Sequence, residues 1–421
     1  MVWPRLRELA IVNDTFLVQS PLPQGLLHFA TVLPSRRYLE ALYLPTTLQT
    51  LSMVVADLVV FDAYVLDLPS GLTGLSLTSE CLAHVELTHL RHLESLALIS
   101  NALLSLDAVR LHPQAARQLT ALHLAGDLFD LPHDFATLFP NLEVLHLRGR
   151  WQGSARPIFP RSLRLLQIQS TALPRQLDLS PYPYLTEVWL TFCDLASLSA
   201  IFFPPNLTHL TLFGNRRLRS LTVDGQPRLP SSLLSLNVGD TDIRYLGLEE
   251  LPATLQTLRA THNVLDYIQL ADFIHLRRLD FSYTMMGPFS TKELPPYLNT
   301  LHLVDNFLID ATLNGAHASL EELSLSIVAI NSRVDLRNAS NLQQLHLAIF
   351  GFQGVRSIQL PPSLRYVHLD TIDPCAKEPL IAALKTLPHL QSVQDTYGVL
   401  DKGDRLPCRV LDRHGFLRFP T

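Results

Sequence analysis

Residues 251–265 read LPATLQTLRATHNVL. Within this stretch Leu255, Leu258 and Ala260 occupy the apolar places of an L-x-x-L-x-L phrase. Period-two alternation puts Leu258 and Ala260 on one face of a short strand and Thr257 and Arg259 on the other. Pro252 fixes its own φ and has no amide donor, so the chain approaches the strand in an extended form and not as an α-helix. Asn263, three positions past the phrase, is a residue type whose side chain satisfies backbone groups where the chain turns off the strand.

The same phrase recurs through the chain. It starts at Leu6, Leu48, Leu72, Leu93, Leu119, Leu142, Leu163, Leu185, Leu207, Leu233, Leu255, Leu276, Leu298, Leu320, Leu342 and Leu364, with weaker copies from Leu27 and Leu390. These are about eighteen copies with starts 21 to 26 residues apart, most often 22, a regularity that excludes chance. A lone strand of this length cannot bury its two inward leucines, whereas parallel stacking of successive copies joins them into one internal column. The turn position holds Asn101, Cys193, Asn215, Asn263 and Asn306, with Thr171, Thr241, Thr284 and Ser35 as shorter substitutes. Near the C-terminal end Val328, Phe350 and Ile372 stand there instead, so the turns must be satisfied differently. Cys193 reads as a buried turn residue and not as a nucleophile.

The phrase, its period and its Asn/Cys turn position resemble a leucine-rich-repeat array over about residues 2 to 395. LPTTL, LPSGL, FPRSL, FPPNL, LPSSL, LPATL, LPPYL and LPPSL precede eight of the strands. The resulting L-P-x-S-L-x-x-L-x-L pattern is similar to the repeats of bacterial leucine-rich effectors and of protist proteins. The resemblance implies an α/β fold: a curved solenoid of about eighteen turns, a parallel sheet on the concave face, and extended or short helical segments on the convex face. No separate ligase domain follows the array, so the catalytic activity of those effectors is not carried over.

Composition agrees with this reading and removes other classes. Of 421 residues 47% are hydrophobic and 17% charged, roughly one in five is Leu, and the net charge is −5. That excludes a disordered chain, and four cysteines exclude a disulfide-dense one. The first thirty residues lack a signal-peptide core, and Asp57, Asp62 and Asp67 interrupt the most apolar stretch, so the expectation is a cytoplasmic protein that spans no membrane. A secreted or ectodomain location becomes the expectation if a segment is missing upstream of Met1. The sequons at Asn13, Asn206 and Asn338 are no more numerous than chance allows. The absence of a concentrated basic footprint argues against nucleic acid. Only Lys292, Lys377, Lys385 and Lys402 are lysines, a bias read as base composition of the gene.

At the start, Trp3 and Pro4 lead into the first phrase with no amphipathic cap. At the other end Asp373 and Pro374 read as N-cap and first position of a helix reaching about Thr386, with Leu380, Leu384 and Leu387 on one face. Residues 396–421 form the expected cap, a hairpin in which RVL and FLRF flank Asp412 to Gly415. Cys375 and Cys408, both in this terminal region, read as free thiols in the absence of a signal peptide and as a pair if the protein is extracellular.

No phosphate loop, GxGxxG, HExxH, GxSxG, paired CxxC or kinase signature is present, so neither an enzyme nor a cofactor or metal site is expected. Function falls to the outward column of the concave face: Ala10, Thr31, Ser52, Ser76, Ala97, His123, His146, Gln167, Trp189, Thr211, Asn237, Arg259, Asp280, His302, Ser324, His346, His368 and Gln394. Five histidines stand in this column, read as a strand-position preference, a protein-binding surface, or a metal or pH-sensing site. Around Trp189 the outward positions add Val144, His146, Arg148, Glu187, His209 and Phe213. Two readings stand, an interface hot spot or plain cross-strand packing. Arg259, Arg278 and Asp280 form a second, more charged patch, with Arg259 and Asp280 as candidate partner-binding residues and mutual neutralisation as the plain alternative. The expected function is a non-enzymatic scaffold binding a protein partner, of unknown identity, between the strands at Leu142 and Leu276. The rival is the sensor array of a larger signalling enzyme, a kinase or ubiquitin ligase subunit.

Overall fold

The computed structural model describes residues 6–12, 22–34, 42–56, 67–103, 105–129, 131–151, 157–169, 173–284, 294–308, 311–312, 317–328, 332–350, 355–401, 404, 406–415 and 417–419. Trp3, Pro4, Asn13, Ser35 and Thr171 lie outside them. The chain divides into two compact units, residues 1–195 with 199–207, and 196–198 with 208–421.

Each unit is a parallel β-solenoid. In the first, nine strands follow one another, from Glu8–Val12 to Glu187–Thr191, every one paired in parallel with the next. In the second, ten do so, from His209–Thr211 to Arg409–Leu411. The rung count therefore slightly exceeds the eighteen phrases, because Arg409–Leu411 stacks on Ser392–Asp395 without carrying the phrase. Leu417–Phe419 then pairs antiparallel with Arg409–Leu411. The helix Pro374–Lys385 starts as its sequence requires, with the Asp373 carboxylate accepting the Cys375 amide at 2.8 Å. No disulfide joins the four cysteines.

The leucines do what alternation demands. Leu255 and Leu258 are fully buried, and Leu207, Leu210, Leu212, Leu233 and Leu236 are at most 2% exposed. Each contributes roughly 2 kcal/mol by leaving water. Short parallel ladders line the return side, such as Val85–Leu87 with Val109–Leu111, and Tyr245–Leu246 with Tyr267–Ile268.

The L-P-x-S-L signature has a definite structural meaning. Its final Leu amide donates back to the proline carbonyl, as in Leu48 to Pro45, Leu163 to Pro160 and Leu255 to Pro252 at 3.1–3.2 Å. Its Ser or Thr hydroxyl reaches the preceding turn. Thr47 donates to the Leu26 carbonyl at 2.9 Å, Ser162 to Leu142 at 2.7 Å, Thr254 to Leu233 at 2.8 Å and Ser363 to Leu342 at 2.8 Å. Proline shapes each turn, and the hydroxyl staples it to its neighbour.

Two sequence expectations are corrected. The second copy starts at Leu26 and not at Leu27: Leu26 donates to Pro23, and Ala30 pairs with Ala10 and Ser52. LPQGL (22–26) is thus another copy of the proline signature, with Phe29 in the inward place of the second Leu. Thr31, placed outward by the sequence reading, is 4% exposed and points into the core. Asn101 does not serve as a turn residue either. It is exposed, and buried Ser100, one place earlier, makes the turn by accepting the Ala102 amide at 3.2 Å.

The Asn/Thr ladder of the second unit forms as expected. Asn263 donates to the carbonyls of Val238 at 2.8 Å and Ala260 at 2.9 Å, and its Oδ1 accepts the Thr241 amide and hydroxyl at 3.0 and 2.7 Å. Asn306 and Thr284 repeat the arrangement. Where Val328, Phe350 and Ile372 replace this residue type, the strands Glu322–Val328, Gln344–Phe350 and Tyr366–Ile372 run on to seven residues, and sheet pairing satisfies the backbone. Cys193 is 3% exposed, with its sulfur 3.5 Å from the Ile168 carbonyl, the buried turn position expected of it.

Candidate functional site

The residues singled out around Trp189 fall in both units. His146, Arg148, Glu187 and Trp189 belong to the first; His209, Phe213, Arg259 and Asp280 belong to the second.

In the first unit, register places Gln167 between His146 and Trp189 on three adjacent rungs. Trp189 is half-buried, and its indole N–H donates to the Glu187 carboxylate at 2.7 Å. Glu187 therefore fixes the ring as a rigid face. Arg148 is exposed, two residues past His146 on the strand Val144–Trp151. His146 sits edge-on to His123, ring centroids 5.5 Å apart. Burial lowers the pKa of both imidazoles; at His123 the fields of His146 and Arg148 lower it further, and at His146 Glu187 opposes the shift. Both rings are neutral at pH 7.

In the second unit His209 is exposed and bonded to the Thr208 hydroxyl at 2.9 Å. Phe213 lies on Gly239, where an added Cβ would be 2.9 Å from the ring and 2.7 Å from the Thr261 hydroxyl. Arg259 and Asp280 pair in register, yet among the described residues no ion pair joins Arg259 or Arg278 to Asp280. The patch is therefore not closed by direct ion pairs among the described residues. The Asp280 carboxylate instead accepts the Ser282 amide at 3.1 Å, and both guanidinium groups are left exposed.

The second unit also holds a site the sequence did not define. Its rungs curve so that Thr261, His262, Tyr283, His302, His346, Tyr366, His368 and Leu411 line one open cleft of about 810 Å³. His346 and His368 stack at 4.4 Å with an interplanar angle of 10°. His302 bonds to the Ser324 hydroxyl at 2.8 Å, and His368 to the Thr396 hydroxyl at 2.7 Å. His346 Nε2 lies 3.7 Å from Asp370, and His302 Nε2 lies 3.9 Å from Glu322. Among the described residues no group of three or more His, Cys, Asp or Glu side chains is arranged to hold a metal ion.

At the rim, Asp240, His262, Tyr283 and Asp305 recur every 21 or 22 residues, each immediately before a buried Thr or Asn, and each adopts a φ of 52–60°. This left-handed conformation suits Gly or Asp and costs a bulky side chain roughly 1–2 kcal/mol. His262 and Tyr283 bear that cost side by side, their rings stacked at 4.6 Å. The pKa of the Tyr283 phenol is raised, first by desolvation and then by Asp305, Asp370 and Asp280. Asp370 is four rungs away along the sheet, and the curvature brings it within reach.

Among the described residues no helix is long and apolar enough to cross a membrane. No family model matches the chain, and no curated protein matches it. Solved structures do resemble it. The leucine-rich effector protein YopM from Yersinia pestis is 21% identical with a TM-score of 0.53, over 87% of this chain and 89% of that one. The mouse RP105 and MD-1 complex includes a chain 18% identical with a TM-score of 0.57, over 89% of this chain and 72% of that one.

Proposed function

We propose that this chain, a leucine-rich-repeat protein by fold, is a non-enzymatic scaffold that binds a protein partner on the concave face of its strands. The observation that carries the reading is the preformed cleft of the second unit, an 810 Å³ depression floored by outward strand residues. The similar fold in the mouse RP105 and MD-1 complex supports a role in protein association. Rings held in place before binding lose little freedom on contact, which is what an interface anchor needs. Trp189, fixed by Glu187, is the corresponding anchor in the first unit.

Trp189→Ala is expected to weaken partner binding by roughly tenfold to a hundredfold, the range of an aromatic hot spot, and to leave the unfolding midpoint nearly unchanged. His346→Ala combined with His368→Ala should have a comparable effect in the second unit. Affinity capture from the source organism with wild-type and variant chains checks this. Partners retained at wild-type levels by both variants would count against the concave face.

A further inference from the structure

We propose that the cleft of the second unit receives an extended, basic segment of the partner, whose arginine or lysine side chains engage Asp280, Glu322 and Asp370. This rests on the concave-face reading above and adds the chemistry of the guest.

The first ground is charge. The lining residues include Asp280 and Glu322 and four imidazoles, but no lysine or arginine. Among the described residues Asp280, Glu322 and Asp370 have no arginine or lysine partner, although arginine supplies most of this chain's positive charge. Return-side carboxylates behave differently: Asp242 pairs with Arg219 and Asp266 with Arg244, at 2.9 and 3.3 Å. Cations thus pair with carboxylates elsewhere, whereas at the edge of the cleft Arg259, Arg277 and Arg278 form no ion pair with Asp280, Glu322 or Asp370 among the described residues. Arg259 and Arg278 stand beside Asp280 without an ion pair to it, and Asp280 lines the cleft. The second ground is the aromatic wall. Tyr283, exposed and held at a φ of 60° against His262, sits with Tyr366 among these carboxylates, and a phenol face stabilises a guanidinium laid over it. Charge-assisted, bidentate contacts to carboxylates favour arginine in such a setting.

Acid adds positive charge to the site at His346. His346 faces Ser324, Glu322 and His302 on one side and His368, Asp370 and Tyr366 on the other; His262, Tyr283, Asp280 and Asp305 stand across the cleft, with Gln394 and Ser392 beyond His368. Burial and the neighbouring His368 lower the His346 pKa while Asp370 opposes them, so the ring is neutral at pH 7.5 and takes up its proton only in acid. A protonated His346 repels a cationic guest and occupies Asp370. Binding therefore weakens as pH falls.

The test uses the intact chain and two labelled twelve-residue peptides, one alternating Arg with Gly and Ser, the other alternating Glu with the same residues. Fluorescence anisotropy at pH 7.5 and low salt is expected to show the Arg peptide bound and the Glu peptide unbound. Asp280→Asn with Glu322→Gln and Asp370→Asn should weaken the Arg peptide at least tenfold. Asp242→Asn with Asp266→Asn on the return side should leave it unchanged. Lowering the pH to 5.5 should weaken it at least fivefold, beyond any change in the triple variant. Equal affinity for wild type and triple variant, no binding of the Arg peptide, or equal binding of the Glu peptide would each overturn the assignment. If the triple variant unfolds, Asp280→Asn and Asp370→Asn singly carry the same comparison. A photocrosslinker at Gln344 separates the two readings. A partner captured there while the Arg peptide fails leaves concave recognition standing and removes only the basic guest.

Discussion

Replacing Asn263 by Ala is expected to destabilise the second unit by about 3–5 kcal/mol, the effect of stripping a buried hydrogen-bond network. The Asn263 amide group donates to two carbonyls of successive turns, and its oxygen accepts both the amide and the hydroxyl of Thr241. Asn263 is 2% exposed, so water does not replace it at those groups. Each orphaned buried group costs about 1–3 kcal/mol. The Val238 carbonyl keeps the Thr241 hydroxyl as a second donor, and the loss is correspondingly smaller than four independent bonds suggest. Urea unfolding followed by near- and far-ultraviolet circular dichroism measures the change. Hydrogen exchange should place it in the rungs Ser235–Asn237, Thr257–Arg259 and Arg278–Asp280, because repeat turns couple chiefly to their neighbours. A loss below about 1 kcal/mol would mean that the ladder is not what closes these turns.

Gly126→Ala is expected to cost about 2–3 kcal/mol in the first unit, by overpacking. A Cβ at this position would overlap the Leu103 carbonyl oxygen and lie 3.1 Å from that of Ser100. Both obstacles are backbone, held in the turn that Ser100 forms, and neither moves without opening that turn. Two other glycines give the scale. Gly25 has nothing within 4 Å of an added Cβ, so Gly25→Ala should change stability by less than about 0.5 kcal/mol. Gly225 has equal space but a φ of +73°, so Gly225→Ala should cost about 1 kcal/mol through backbone strain alone. The order Gly126, Gly225, Gly25 in denaturant midpoint separates close approach from conformation and from neither.

The inward half of the fold was legible because burial and alternation act on each phrase by itself. Leu258 points inward wherever its neighbours go, and Asn263 turns the chain by its own side chain. Legibility failed where a leucine pair offered two frames, as at Leu26 and Leu27, where only pairing register distinguishes Ala30 from Thr31 as the outward residue. It failed again at Asn101, because a shorter turn uses the serine before it.

The outward half was legible as a column and not as a site. His302, His346 and His368 are visible as rung residues, but the approach of Asp370 to Tyr283 depends on curvature summed over four rungs. That curvature comes from the relative widths of strand and return sides, which no single phrase encodes. Tyr283 and His262 do carry a sequence signal: each precedes a ladder residue, at a place where Gly214 and Asp240 accept a left-handed backbone without difficulty. The absent ion pair at Arg259, Arg278 and Asp280 is a matter of side-chain direction, which proximity along the sheet does not determine.

The most direct test of concave recognition is a photocrosslinking comparison in the intact chain. Benzoylphenylalanine at Gln344, on the floor of the cleft, or at Gln167, beside Trp189, is predicted to capture a discrete protein partner from the source organism. The same group at Tyr267, 52% exposed on the return side, is predicted to capture none. Adducts formed from Tyr267 and from neither Gln344 nor Gln167 would contradict the account.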